Sequence, residues 1–184
     1  MSARKKVLAA AFQGAARWQV VLLGGVLTVA FMLFFSSADR AAREGTPGVI
    51  ELELAFSEDR FSDIVHQWAV AGTLPLQQRN LWIDFLFPCT CAVLLSSLLA
   101  WVAGGSYEEW SRGFVILLAL PLVAGLLDWV ENVLLLFLLK DSSDFSAPLI
   151  FMASAVSLIK WVLLLVSVLA TVYHVFRRLR RFVR

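Results

Sequence analysis

Four apolar segments, Trp18 to Phe35, Leu81 to Ala103, Gly113 to Leu139 and Ala147 to Phe176, each reach the twenty or so residues that a helix needs to cross a bilayer. This pattern restricts the fold more than any other feature. In hydrocarbon each backbone amide must find its partner within its own segment, so such runs become helices. Composition agrees: 60% hydrophobic residues, 16% charged residues and a mean hydropathy of +0.78 exceed the roughly half-apolar make-up of soluble domains. The expected architecture is an all-α integral membrane protein. One four-helix domain covers 18–176, with spans at 18–35, 81–103, 113–139 and 147–176, an outer loop at 36–80 and basic tails at 1–17 and 177–184. The fourth segment exceeds the hydrocarbon thickness, so it tilts or emerges into the cytoplasm.

Charge placement sets the expected orientation. Arg4, Lys5, Lys6, Arg17, Arg112, Arg177, Arg178, Arg180, Arg181 and Arg184 fall on one side, against Arg40, Arg43, Arg60, Arg79 and Lys140 on the other. The positive-inside rule then puts both termini in the cytoplasm, as an even number of spans requires, and the reading is a multi-pass protein of a bacterial inner membrane. Trp18, Trp101 and Trp110 fall at the inner interface and Trp82 at the outer one, an aromatic belt. The alternative for the first segment is a signal peptide cut after Ala38; its long basic leader and long apolar run favour an uncleaved anchor. The basic tail "FRRLRRFVR" reads as an anchor at anionic headgroups rather than a nucleic-acid contact.

The outer loop has two local patterns. "GVIELELAF" alternates Ile50, Leu52, Leu54 and Phe56 with Glu51, Glu53 and Ala55, which predicts a strand. After it, Ser57 is a good N-cap, and Phe61, Ile64, Val65 and Trp68 recur at helical spacing before Gly72, so a short amphipathic helix is expected, with Asp59, Asp63 and His66 on its polar side. Pro88 and Pro121 predict kinks inside the second and third spans, whereas Pro148 suits a helix start. Cys89 and Cys91, with one residue between them in an apolar run, read as core residues and not as a disulfide or metal pair. With two histidines in the chain, neither zinc nor haem is indicated, and no resident cofactor is assigned.

Asp84, Asp128, Glu131 and Lys160 are the ionisable residues left at membrane depth. Each costs on the order of 3 kcal/mol at the bilayer centre, so they must face the protein interior or a wet cavity. The third and fourth spans are joined by the short "KDSSDFS" and are therefore antiparallel neighbours. Asp128 with Lys160 is the expected pair. Glu131 and Asn132 share the face of Asp128, and Trp129 and Trp161 either pack in the core or wall the pocket. The group would open toward the outer face. One reading is structural, since polar residues hold membrane helices together at around 0.6 kcal/mol per contact. Against it, three carboxylates outnumber one lysine; an unmatched acid must take a proton, water, a cation or a base such as Arg79.

"ELELA", "LWIDFLFP" and "PLVAGLLDWVENVLLL", spanning Pro47 to Leu138, together resemble a family of small, functionally uncharacterised bacterial four-span proteins. The resemblance implies the four-span fold and points to Glu51, Glu53, Asp84, Asp128, Glu131 and Asn132. It carries no activity, substrate or cofactor.

Three functions fit. The first is a proton- or cation-coupled transporter acting as a homo-oligomer, its pocket formed by Asp84, Asp128, Glu131, Asn132 and Lys160, with Glu51, Glu53, Asp63 and His66 as outer-loop candidates. The second is an enzyme acting on a lipid or isoprenoid through a carboxyl acid and base, although no nucleophile or phosphate-binding motif is present. The third is an assembly or sensor subunit whose buried pair fixes helix register. The expected partners are the bilayer, an ion or lipid ligand and a second copy of the chain, with no nucleic acid.

Overall fold

The computed structural model describes residues 14, 16–42, 45–104, 110–140 and 146–182. The tail bases Arg4, Lys5, Lys6 and Arg184 and residues 141–145 of the "KDSSDFS" connection lie outside the described residues. The chain forms α1 (Trp18–Ala42), α2 (Val49–Glu53), α3 (Glu58–Val70), α4 (Leu74–Asp84), α5 (Phe87–Ala103), α6 (Arg112–Leu138) and α7 (Ala147–Phe182). Four stretches are long and apolar enough to cross a membrane: Trp18–Ser36, Leu74–Ala103, Arg112–Leu138 and Ala147–Arg180. The protein is an all-α, multi-pass membrane protein.

The second span is two helices rather than one. Pro88 has no N–H to give to the carbonyl four residues earlier, which belongs to Asp84. The helical ladder therefore stops there: α4 ends at Asp84 and α5 restarts at Phe87 with the proline in its first turn. Trp129 Nε1 donates to the carbonyl of Phe85 (2.8 Å), satisfying backbone that the break exposes. The span also begins earlier than hydropathy suggests, since α4 draws Leu74–Asn80 out of the expected loop. Pro121 does not break α6; it lies buried within one continuous helix, and Ser96 Oγ donates to the Leu118 carbonyl in the preceding turn (2.9 Å). Pro148 sits in the first turn of α7.

The most extensive packing joins α6 to α7, with α5 against both and α1 resting chiefly on α5. Two glycines permit close approach. A Cβ on Gly24 would lie 3.3 Å from Leu94 Cα, and one on Gly125 would lie 3.4 Å from the Pro88 carbonyl oxygen. Small residues of this kind let membrane helices meet backbone to backbone. Gly125 brings the start of α5 onto α6 one turn before Asp128. At the end where α1 begins and α7 finishes, Arg178 Nη1 donates to the Trp101 carbonyl (2.7 Å) and its guanidinium lies 5.1 Å from that indole ring, closing the carbonyl end of α5.

At the opposite end, hereafter the loop end, α2 and α3 form a cap beside the start of α4. Ser57 Oγ accepts from Arg60 N (3.3 Å), and the stripe Phe61, Ile64, Val65 and Trp68 is buried against Leu52, Leu81, Leu135, Leu138, Leu139 and Ile150. Trp68 Nε1 donates to the Pro47 carbonyl (2.8 Å), and Gly72 ends the unit with a φ of 67°. The expected strand is absent: Val49–Glu53 is helical, and no strand occurs among the described residues. A lone strand has no ladder to satisfy its backbone, whereas here Leu54 N reaches Ile50 O (3.2 Å) and Ala55 N reaches Leu52 O (3.2 Å). The helix turns the adjacent residues Leu52 and Glu53 inward and leaves Glu51 exposed.

Trp68→Ala should loosen the cap at a cost of about 3–5 kcal/mol. Limited proteolysis should then cut within 45–73 faster while helical circular dichroism is retained; unchanged cleavage would refute the cap's dependence on this side chain.

Candidate functional site

In α6, positions 128, 131 and 132 stand at i, i+3 and i+4, so Asp128, Glu131 and Asn132 project from one face; all three are buried. In α7 the buried positions Ile150, Ala153, Ser154, Ser157, Lys160, Ser167 and Thr171 trace a stripe with the same spacing. Packing α6 on α7 sets the two faces together. Lys160 Nζ then lies 2.9 Å from Asp128 Oδ1 and 2.5 Å from Glu131 Oε2, the latter an ion-pair contact outside hydrogen-bond alignment. The third partner comes from the loop cap: Glu53 Oε2 lies 3.4 Å from the ammonium.

Glu53 is held by more than charge. The same Oε2 accepts from Ser157 Oγ (3.2 Å) and from Trp161 Nε1 (3.2 Å). The Trp161 ring stands 5.5 Å from the ammonium, within cation–π range. The fourth carboxylate joins through an amide. Asn132 Nδ2 donates to Asp84 Oδ2 (2.9 Å) and to Asp128 Oδ2 (3.2 Å), linking the α4–α5 break to the ion pairs. Glu131 is completely inaccessible, and its Oε1 has no hydrogen-bond partner among the described residues.

The five residues expected to share a pocket, Asp84, Asp128, Glu131, Asn132 and Lys160, are brought together, and Asp128 does pair with Lys160. Of the outer-loop candidates only Glu53 joins them. Glu51, Asp63 and His66 are exposed; Asp63 pairs locally with Arg60 (3.6 Å) and accepts from Gln67 (3.0 Å). Arg79, considered as a counter-ion for the surplus acid, is exposed, and among the described residues the only base paired with any of the four carboxylates is Lys160. Ser157 and Trp161 complete the seat of Glu53. Ser157 went unnoticed in the sequence, where its signal was its place three residues before the lysine on the same face.

A lysine ammonium has three donors, and here three carboxylates surround it. With Asp84 added, three carboxylates stand in formal excess over one cation. Burial of that surplus is untenable as free charge and requires compensation by protons or a cation. Among the described residues no three of His, Cys, Asp and Glu are arranged as a preformed metal-ligand set. Cys89 and Cys91 are free thiols. No protein-family model, curated protein or solved structure matches the chain.

Lys160→Met should leave the carboxylates without their cation and destabilise the protein by about 3–5 kcal/mol, measured by denaturation in detergent. Glu53→Gln, which keeps a polar group facing Ser157 and Trp161, should cost on the order of 1 kcal/mol. Equal costs would contradict the central place of the lysine.

Proposed function

We propose that the cluster is a proton or monovalent-cation exchange site facing the outer side of the membrane, the core of a small ion-coupled transport protein. The observation carrying this reading is the buried imbalance: Glu53, Asp128 and Glu131 share the single ammonium of Lys160, and Asn132 ties a fourth carboxylate, Asp84, to them. A network built only to hold helices would be expected to match its charges, because each unpaired ion is expensive in a low dielectric. In our reading Lys160 permanently offsets part of the negative charge, and the exchangeable ion offsets the rest. Orientation rests on the positive-inside distribution of Lys and Arg, which assigns the loop cap to the outer face of a bacterial inner membrane and both termini to the cytoplasm. The stretches that carry the family resemblance also deliver Glu53, Asp84, Asp128, Glu131 and Asn132, which supports reading them as site-bearing. Few helices surround the site, so we place its working form in a homo-oligomer.

A second reading follows from Glu53. That residue fastens the loop cap to α7 through Ser157, Lys160 and Trp161, so the cluster could instead report its ionic state to a partner through the cap, as a sensor or assembly subunit would.

In detergent the thermal midpoint should rise with Na+ or another alkali cation relative to choline, or with falling pH. The sign follows from linkage: a native cluster that binds more protons than the unfolded chain gains stability as pH falls. A cation at a hundred times its dissociation constant would add about 2.7 kcal/mol. Asp128→Asn and Glu131→Gln should flatten the response. A midpoint indifferent to both pH and cations would sink the exchange reading; a response seen without ion flux in sealed vesicles would favour the sensor.

A further inference from the structure

α4 carries a buried polar face that ends at the site. Gln77, Asn80 and Asp84 stand at i, i+3 and i+7, one face of that helix, and the face is turned inward: Gln77 is 1% and Asn80 4% exposed. Gln77 Oε1 and Asn80 Oδ1 are buried acceptors without a hydrogen-bond partner among the described residues, as is Glu131 Oε1 at the far end. Such oxygens are costly to leave unmet. The column they make starts beside the end of α6, where Gln78 Nε2 donates to the Leu139 carbonyl (2.8 Å). It descends roughly 10 Å at 1.5 Å per residue to Asp84. There the helix break adds one more acceptor, because Pro88 withholds the donor that the Asp84 carbonyl would otherwise meet.

We infer that the Gln77–Asn80–Asp84 face of α4 is the access path by which a hydrated alkali cation or a proton travels from the loop end to the carboxylate cluster. The inference rests on the exchange reading above. Each unmet oxygen replaces part of a hydration shell, and the discontinuous helix supplies backbone carbonyl at the point of arrival, a device suited to ion passage at membrane depth. The groups meeting the arriving ion are Asp84 on α4, Asp128 and Glu131 on α6, Glu53 on α2 and Lys160 on α7, with Cys91 on α5 close enough to feel Asp84 and Asp128.

The test is kinetic. Wild type in vesicles is given a rapid external pH jump or Na+ jump, and the emission of Trp161, assigned by its loss in Trp161→Phe, reports the response. The jump that evokes the signal distinguishes proton from alkali cation. Gln77→Leu with Asn80→Leu should keep the amplitude and slow the response about tenfold, a barrier change of about 1.4 kcal/mol, while Gln77→Asn with Asn80→Ser stays near the wild-type rate. An unchanged rate in the leucine variant overturns the path and leaves the exchange reading standing. A wild type that answers neither jump overturns both. Should the leucine variant fail to fold, Asn80→Asp must speed the response by a similar factor, and an unaltered rate there rejects the path.

Discussion

One ammonium shared by three carboxylates organises this molecule. Lys160 binds Asp128 and Glu131 from α6 and Glu53 from the loop cap, and Asn132 extends the contact to Asp84 at the end of α4. Four separate elements therefore depend on a single buried cation. Hydrophobic association cannot replace it inside a bilayer, where lipid tails are as apolar as leucine and helices gain little by hiding such surface from them. The register of α6 against α7 and the seating of α2 are tied to where that charge can be satisfied, and the break that Pro88 makes in the second span delivers Asp84 to the same place.

The supporting geometry is equally economical. Pro88 breaks the second span at the residue whose carboxylate is needed, and Gly125 lets the broken end lie against α6 one turn from Asp128. Away from the loop end the seam changes character. Ser96, Ser97, Ser167 and Thr171 are buried there, but Ser167 and Thr171 return their hydroxyls to their own helix at Leu163 and Ser167 (2.7 and 2.8 Å). Apolar Leu99 and Leu118 fill the space between the helices at that end. The ionic cluster thus lies between two apolar packed regions, one beneath the loop cap and one toward the opposite end.

Much of this was legible in the residues. Insertion cost sent Asp128 and Lys160 to the interior, the short connection between the third and fourth spans made their helices antiparallel neighbours, and the spacing of Asp128, Glu131 and Asn132 gave their common face. The amphipathic helix at 58–70 was readable because its cap, stripe and stop agreed. Glu53 was harder. Its surroundings alternate like a strand, and over so few residues period cannot separate a strand from a turn and a half of helix; what decides is an ion pair with a residue 107 positions away. The extension of the second span into α4 was also hidden, since Gln77, Gln78 and Asn80 look like loop until a neighbouring helix shelters them.

The order of these residues along the chain has a consequence for biogenesis. Glu53, Asp84, Asp128 and Glu131 all precede Lys160, and a chain is made from its amino terminus onward. Every acid is therefore translated before its counter-charge. The final helix is thus the one that makes the earlier three tenable, and a nascent chain interrupted before it carries its own mark of incompleteness: four acids without their cation.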